Sequence, residues 1–261
     1  MKGQERKMDM SRIESFISSL EPFLSANELQ RIQKIHREPY QSLHGNLAEL
    51  IDHTLLAPDA TPDDIRLLCQ QAGKWHTYAI CINSWLVPYA REALVNTPVK
   101  IASVAGFPLG AEASSAKAYE SRWAVDHGAQ EIDMVINLGA LKARGWRQVV
   151  EDIAAVREAV PHPTVLKVIL EMVRLTDEEK IRAALLSVAA GADFVKTSTG
   201  FDQGGATISD VRLLREVVGT KIGVKAAGGI HTAREAQSMV DAGASRIGAS
   251  RTQEILGQQL Q

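Results

Sequence analysis

The sequence contains only two cysteines, Cys69 and Cys81, in 261 residues. Two thiols are too few for the disulfide framework of a small secreted domain or for a cysteine-based metal cluster. The seven histidines show no pair at the spacing of metal ligands. The chain also opens without an apolar targeting segment. We therefore expect a cytoplasmic protein whose site holds no metal and no other cofactor.

Long apolar runs and an excess of positive charge are missing as well. No apolar stretch approaches the roughly 18 residues that a membrane-spanning helix requires. The formal net charge is -2 and the sequence pI is about 6.4, so the chain lacks the basic surface that nucleic acid or an anionic membrane attracts. We expect neither as a partner, and any anionic small molecule must be held by a local site.

Aromatic residues make up only 5% of the chain, whereas aliphatic residues and 19 glycines are abundant, which is typical of α/β proteins. From Leu47 onward, eight short apolar runs alternate with helical stretches, and the length fits a (β/α)8 TIM barrel of about 250 residues. An open doubly wound sheet is less favoured because no G-x-G-x-x-G turn follows the first run. The predicted strands are Leu50–Leu55, Tyr78–Ile82, Val99–Val104, Glu131–Ile136, Val165–Leu170, Asp193–Thr197, Ile222–Ala226 and Ser245–Ala249.

Residues 1–45 differ from the rest of the chain because they are polar, poor in glycine and show helical spacing of apolar residues, as at Ile13, Phe16 and Leu20. Ser25 and Glu28 have the spacing of a capping box that opens a second helix. The sequence thus predicts a helical N-terminal extension over 1–45 and a catalytic barrel over 46–261. Two roles fit the extension: covering one end of the barrel, which we favour, or forming a contact in a homo-oligomer, a dimer or higher.

Four ionisable residues occupy the ends of neighbouring predicted strands, where the active site of a barrel of this kind lies. They are Asp133, Lys167, Lys196 and Lys225. Lys196 and Lys225 belong to consecutive strands, so their side chains should meet in the barrel mouth. Mutual repulsion and loss of hydration both favour a neutral amine there.

A neutral amine attacks a carbonyl carbon to form a Schiff base, and the enamine derived from it is the carbon nucleophile of an aldol reaction. We expect Lys196 to be this amine and Asp133 to transfer protons beside it. A strand-end lysine alone is more often a snorkelling or paired residue, and Asp133 with Lys167 is also explained as an interior ion pair. Three lysines with one aspartate are harder to explain by packing. Asp52 and Thr54, in the first predicted strand, should line the mouth.

Glycine-rich loops follow the last three predicted strands: Ser198-Thr-Gly200, Gly228-Gly229 and Gly248-Ala-Ser250. Backbone N–H groups in these loops are the usual phosphate cradle of such barrels, although glycine also marks turns that bind nothing. Thr199 is expected to face the substrate. Gly106-Phe-Pro-Leu-Gly110 should form a loop over the pocket, and Cys81 is expected to be a small buried residue.

Six motifs together resemble those of the deoxyribose-phosphate aldolases, and the resemblance runs in order from about residue 47 to 256. The motifs are Leu50-Ile-Asp-His-Thr-Leu-Leu56, Gly106-Phe-Pro-Leu-Gly110, Glu131-Ile-Asp-Met-Val-Ile-Asn-Leu-Gly-Ala-Leu-Lys142, Leu166-Lys-Val-Ile-Leu-Glu171, Phe194-Val-Lys-Thr-Ser-Thr-Gly-Phe201 and Val224-Lys-Ala-Ala-Gly-Gly-Ile230.

The resemblance implies a class I aldolase that reversibly cleaves 2-deoxy-D-ribose 5-phosphate into D-glyceraldehyde 3-phosphate and acetaldehyde. Lys196 would be the Schiff-base lysine, Lys225 the neighbour that tunes it and Asp133 the proton-transferring group, with Lys167 lining the same pocket. The family often has lysine, serine and a small hydroxyl residue where this chain has Ala57, Ala227 and Arg251. The residues that would hold the phosphate are Gly200, Gly228, Gly229, Gly248 and Ser250.

Two other functions fit the same residues. One is a Schiff-base aldolase with a different aldehyde acceptor on the same barrel. The other is a catalytically silent phosphosugar-binding scaffold whose N-terminal helices recruit a partner, although the presence of Lys196, Lys225 and Asp133 together argues against it. Phosphosugar and aldehyde substrates are therefore the expected small-molecule partners.

Overall fold

The computed structural model of the protein describes residues 10–35, 40–42 and 45–257. Eight parallel strands pair in sequence order and close into a barrel, which confirms the predicted TIM barrel. Each strand bound lies within one residue of the predicted one. The strands are β1 Ile51–Leu55, β2 Ala79–Ile82, β3 Lys100–Ala105, β4 Glu131–Val135, β5 Val165–Ile169, β6 Phe194–Lys196, β7 Gly223–Ala227 and β8 Arg246–Ala249.

Helices surround the barrel, and their starts follow the capping signals of the sequence. Capping boxes are present at Ser25, Thr61, Thr176 and Thr232, where each hydroxyl accepts from the backbone N–H three residues on. Short 3₁₀ helices cover Glu21–Phe23, Leu47–Leu50, Ser84–Leu86 and Met172–Arg174. The α-helices are α1 Met10–Leu20, α2 Ala26–Gln33, α3 Pro62–Trp75, α4 Val87–Ala93, α5 Ser114–His127, α6 Leu138–Lys142, α7 Trp146–Ala159, α8 Asp177–Ala189, α9 Ile208–Val218, α10 Ala233–Ala242 and α11 Thr252–Leu256.

The N-terminal helices α1 and α2 pack along the outer face of α8. Arg31 donates to the carbonyl of Ala189 at 2.7 Å, and the guanidinium of Arg182 lies 4.5 Å from the centre of the Phe16 ring. These helices therefore lie on the side of the barrel. The expectation that they cover one end of the barrel is wrong. No helix in the described ranges is long and apolar enough to span a membrane.

The apolar core lies mainly between the strands and the surrounding helices. The interior of the barrel is different: a small second cluster of buried apolar side chains consists of Leu56, Cys81, Ala102 and Val104. Branched aliphatic side chains usually fill this space in TIM barrels. Here ionisable side chains take their place, and the fold thereby defines the candidate site.

Candidate active site

Seven charged side chains point into the barrel, and all of them are buried. Successive residues of a strand face opposite sides, so residues two apart share the inner face. Glycine at positions 223 and 248 provides room: a Cβ on Gly248 would lie 3.1 Å from Cε of Lys225. The seven are Asp52 of β1, Glu131 and Asp133 of β4, Lys167 of β5, Lys196 of β6, Lys225 of β7 and Arg246 of β8.

Asp133 is the centre of this group. Its Oδ1 accepts a hydrogen bond from Lys167 at 2.6 Å, while its Oδ2 accepts from Lys196 at 2.9 Å and from Lys225 at 2.8 Å. The strand register pairs Asp133 with Lys167 and Lys196 with Lys225. The four residues singled out in the sequence are thus brought together around one carboxylate.

Further ion pairs close a ring around the inside of the barrel. Arg246 contacts Asp52 at 2.9 Å and Glu131 at 3.0 Å, and Glu131 contacts Lys167 at 2.6 Å. Lys225 is hydrogen-bonded to Asp52 as well as to Asp133. Positive and negative groups alternate around this arrangement. We call it the charged ring, and its members in order are Asp52, Arg246, Glu131, Lys167, Asp133 and Lys225.

Glu131 and Arg246 were not among the residues predicted for the site, and the expectation of three lysines with a single aspartate is wrong. A signal for both was present in the sequence. Glu131 lies two residues before Asp133 in β4, and Arg246 lies two residues before Gly248 in β8. The two-residue period of a strand places each of them on the inner face.

The electrostatics of Lys225 differ from the sequence-based expectation. Burial alone would lower the pKa of Lys225, but the carboxylates of Asp133 and Asp52 outweigh it and raise that pKa. Burial alone would also lower the pKa of Lys167, but the carboxylates of Asp133 and Glu131 outweigh burial and raise that pKa. Repulsion between lysines therefore does not make Lys225 neutral. Both side chains are fixed positive charges of the ring.

Lys196 is bound differently from the lysines of the ring. Within the described ranges its ammonium contacts a single carboxylate, Asp133, whereas Lys167 and Lys225 each contact at least two. The ring has three positive and three negative members, so its charges balance. A protonated Lys196 adds one uncompensated positive charge, and a neutral Lys196 leaves the cluster balanced. Lys196 is also the last residue of β6, next to the loops at the mouth.

The loops after β6 and β7 pack against each other through glycine. Gly200 and Gly228 have φ angles of +84° and +88°, and a Cβ on Gly228 would lie 3.0 Å from Cα of Gly205. Ala206 donates its N–H to the carbonyl of Gly228 at 3.0 Å. The two loops therefore form one unit that tolerates no side chain at Gly228. Gly229, with φ +73°, faces open space.

The other residues predicted to bind phosphate lie at different depths. Ser250 is exposed just after β8, and Arg251 beside it is exposed as well. Gly248 lies inside β8 against Lys225, below the loops. The assignment of these positions to phosphate stays a prediction.

The predicted pocket hydroxyls are already engaged by the protein. Thr54 donates to the carbonyl of Asp52 at 2.8 Å, and Thr199 donates to Oε2 of Glu171 at 2.5 Å. Glu171 is buried and has a φ of +51°, which is strained for a residue with a side chain. Ser198 is buried, and its hydroxyl has no hydrogen-bond partner among the described residues. Of these hydroxyls, Ser198 has the free capacity to bind a ligand.

One side of the pocket is apolar. Phe107, in the loop after β3, packs on the interior cluster that contains Cys81, and its ring meets that of Phe201 edge to face at 5.2 Å. Burial raises the pKa of the Cys81 thiol, as expected for a small buried residue. The 106–110 loop is tied to α5 because Gly106 donates its N–H to Glu120 at 2.9 Å.

The described ranges contain no group of three or more His, Cys, Asp or Glu side chains arranged to hold a metal ion. The charged ring leaves none of its carboxylates unpaired, since each contacts at least two cations. A site without metal or other cofactor stays a prediction.

Comparison with known proteins identifies the family. Residues 47–257 match the model of the DeoC/LacD family aldolases. The chain belongs to this aldolase family. It is therefore an enzyme, an aldehyde-lyase.

Curated relatives of the aldolase carry the name deoxyribose-phosphate aldolase. The protein from Carboxydothermus hydrogenoformans is 53% identical over 207 residues, which cover 78% of this chain and 91% of that protein. The protein from Deinococcus radiodurans is 54% identical over 205 residues, which cover 78% of this chain and 93% of that protein.

Solved structures extend the likeness to nearly the whole chain. A candidate deoxyribose-phosphate aldolase from Coccidioides immitis has a TM-score of 0.83 and 35% identity, covering 98% of this chain and 99% of its own. The deoxyribose phosphate aldolase from Aeropyrum pernix, described as a tetramer, has a TM-score of 0.76 and 30% identity, covering 97% and 99%. Because these matches cover more than residues 47–257, they include part of the N-terminal extension.

The charged ring predicts how the stability of the aldolase depends on pH. Burial alone would raise the pKa of Asp52, but Lys225, Arg246 and Lys167 outweigh it and lower that pKa to about 2. A depressed carboxyl pKa stabilises the fold above the unfolded value, and this contribution is lost as the pH falls through the folded one. We expect stability to fall by on the order of 2 kcal/mol from this group between about pH 4 and pH 2.

Urea unfolding at a series of pH values measures this loss. Asp52→Asn removes the titrating carboxylate, so the unfolding free energy of that variant should depend less steeply on pH in the same window. Equal slopes for the variant and the parent protein would show that Asp52 is not the source of the acid sensitivity.

Proposed function

We propose that this aldolase reversibly cleaves 2-deoxy-D-ribose 5-phosphate to D-glyceraldehyde 3-phosphate and acetaldehyde through a Schiff base on Lys196. The observation that carries the proposal is the binding of Lys196, which adds one cation to a balanced ring and contacts only Asp133. The names of the curated relatives support the substrate. The reaction class follows from the family.

The proposed first step is attack of the neutral Lys196 amine on the aldehyde carbon, C1, of the open-chain sugar. The carbinolamine that results takes up a proton and loses water to give an iminium ion, which carries one positive charge. Asp133, 2.9 Å from Nζ of Lys196, is placed to accept and return the protons of these steps. Lys167 and Lys225 hold that carboxylate from its other sides.

The carbon–carbon bond between C2 and C3 breaks in the second step. The C3 hydroxyl loses its proton and C3 becomes the aldehyde carbon of glyceraldehyde 3-phosphate, while the bonding electron pair moves to C2 and forms an enamine. Protonation of the enamine at C2 and hydrolysis of the new iminium ion release acetaldehyde and restore Lys196. The positive charges of Lys225 and Lys167 favour the ionised form of Asp133 between these steps, and the ionised form is the one that can accept a proton.

The phosphate of the sugar is proposed to bind the loops after β6, β7 and β8, with backbone N–H groups as the donors. Support comes from the positive φ angles of Gly200, Gly228 and Gly229 and from the exposure of Ser250 at the same end of the barrel. Gly248 contributes by leaving space beside Lys225. Asp52, Thr54 and Thr199 are proposed to shape the pocket through the backbone and side-chain contacts described above.

Borohydride reduction in the presence of acetaldehyde tests the Schiff base. We expect peptide mass analysis to find the reduced ethyl adduct on the peptide that contains Lys196 and not on those with Lys167 or Lys225. Lys196→Arg, which keeps the charge but has no nucleophilic amine, should carry no adduct. An adduct on another lysine, or none, would contradict the proposed mechanism. Release of glyceraldehyde 3-phosphate from the deoxyribose phosphate tests the substrate separately.

Assembly and location belong to the same proposal. We propose a homo-oligomer, since the Aeropyrum pernix relative is described as a tetramer. A reducing cytoplasm agrees with Cys69 and Cys81, which are both buried and unpaired.

A further inference from the structure

Arg246 closes the charged ring at the end of the barrel that is opposite the mouth. It is the first residue of β8, and its guanidinium group contacts Asp52 and Glu131. The same group lies 3.5 Å from the centre of the Tyr78 ring and 5.4 Å from that of Phe194. Only 5% of Arg246 is exposed. It lies at the start of β8, away from the loops of the mouth, and it contacts two of the three ring carboxylates.

The orientation of Asp133 depends on this closed end. Its Oδ1 is held by Lys167, which is in turn held by Glu131. Its Oδ2 is held by Lys225, which is in turn held by Asp52. Because Arg246 contacts both Glu131 and Asp52, one guanidinium fixes the two branches that meet at Asp133. Lys196 contacts the cluster only where those branches meet.

We propose that Arg246 and Glu131 are positioning residues that set, from the closed end of the barrel, the charge balance in which Lys196 reacts. This inference rests on the proposed Schiff-base function. With the ring intact, the neutral Lys196 amine leaves equal numbers of positive and negative groups. Loss of the Arg246 charge makes the cluster balanced only when Lys196 is protonated. Loss of the Glu131 charge has the opposite effect and disfavours the Lys196 ammonium.

The charged and titratable groups around Lys196 come from six other strands and one loop, and the buried residues Ala102 and Val104 of β3 are apolar. Buried Glu171, in the loop after β5, is bonded to Thr199 and is not part of the ring. Cys81 has its thiol pKa raised by burial. The facing groups are Asp52, Cys81, Glu131, Asp133, Lys167, Glu171, Lys225 and Arg246.

The test uses Arg246→Met, Glu131→Gln and the double variant. The pH dependence of kcat/KM for cleavage, and of borohydride trapping at Lys196, is measured for each protein. We expect the acidic limb of both profiles to move to higher pH by about one unit in Arg246→Met and to lower pH by a similar amount in Glu131→Gln. The double variant, in which the charges balance again, should return close to the parent profile, and Arg246→Lys should stay near it.

Arg157→Met is the matched control. Arg157 pairs with Asp193 at 2.8 Å at the same end of the barrel, but neither residue belongs to the charged ring. The control should lose stability without moving the pH profile. A purely structural role for Arg246 and Glu131 predicts the same behaviour for their variants.

Shifts in the same direction for the two single variants, or no shift in a folded protein, would overturn the inference. Thermal unfolding shows whether each variant is folded, and Glu131→Gln, which preserves the shape of the side chain, decides the question if Arg246→Met does not fold. If the parent protein is trapped at Lys196 but the variants have the same pH profiles as the parent, this inference alone is rejected. Absence of trapping in the parent protein rejects the proposed function and the inference with it.

Discussion

Lys196→Ala is expected to lower the rate of cleavage of the deoxyribose phosphate by about four orders of magnitude or more, because the variant has no amine to form the Schiff base. The same variant should remain folded. Lys196 adds one positive charge to a ring whose charges already balance, so its removal leaves no carboxylate without a cation: Asp133 keeps Lys167 and Lys225. Steady-state assays and thermal unfolding measure the two effects.

Lys225→Met is the matched comparison, and it separates the nucleophile from a member of the ring. Its removal takes a cation from both Asp52 and Asp133, which are buried. Breaking a buried ion pair costs about 3–5 kcal/mol, so this variant should lose both stability and activity. Turnover by Lys196→Ala within about tenfold of the parent rate would place the nucleophile elsewhere.

The strands were predictable because their signals are local. Short aliphatic runs, separated by capping boxes such as Thr176 with Glu179, determine where each strand and helix begins. The closed order of the strands followed from their number and the chain length. The position of the N-terminal helices depends on more than local signals. Apolar spacing at Ile13, Phe16 and Leu20 predicts which face is buried, but the partner of that face, α8, is set by tertiary packing.

The members of the site were predictable, but the expectation that all four lie at strand ends is wrong. Asp133, Lys167 and Lys225 are each the third residue of a five-residue strand. Lys196 ends β6, and alternation along the neighbouring strands places Asp133, Lys167 and Lys225 on the inner face. Arg246 and Glu131 begin their strands, at the end of the barrel where catalytic residues are not usually found. Their position at the opposite end from the mouth is why a search for strand-end residues does not find them.

The charge of Lys225 could not be predicted from its neighbours in sequence. Its raised pKa depends on Asp52, which is 173 residues away in the chain and reaches it only because β1 closes the barrel against β8. Two lysines on adjacent strands repel each other when they are considered alone. When they share a carboxylate, the attraction of each ammonium group to the carboxylate outweighs that repulsion. The number and position of the carboxylates decide the sign, and the closed barrel determines both.

Asp133→Asn is expected to damage stability and activity together, because three buried ammonium groups converge on this carboxylate. Burial alone would raise the pKa of Asp133, but Lys167, Lys196 and Lys225 outweigh it and hold that pKa well below its usual value. An amide carries no compensating charge. We expect the variant to be less stable by about 3–5 kcal/mol, and cleavage to slow by about 10²–10⁴-fold for loss of proton transfer.

The pH dependence of this loss identifies its cause. Without Asp133, the buried lysines lose a compensating charge, which lowers their pKa in the folded state. A lysine with a lowered folded pKa destabilises the fold below that pKa, and this penalty decreases as the pH rises above it. The difference in unfolding free energy between the variant and the parent should therefore be smaller near pH 9 than near pH 7. Urea unfolding at both pH values measures it.

Asp152→Asn is the control for Asp133→Asn, since Asp152 is a buried carboxylate outside the barrel that pairs with one lysine, Lys117, at 2.7 Å. Its loss leaves one ammonium without a carboxylate where loss of Asp133 affects three, so the control should be the less destabilised variant and should still form the borohydride adduct at Lys196. Equal losses of stability in the two variants would mean that the lysines around Asp133 do not depend on its charge. A folded Asp133→Asn variant that cleaves the substrate at nearly the parental rate would show that another group transfers the protons of the aldol reaction. Glu171 would then be the next carboxylate to replace, because it is buried and accepts a hydrogen bond from Thr199 in the loop after β6.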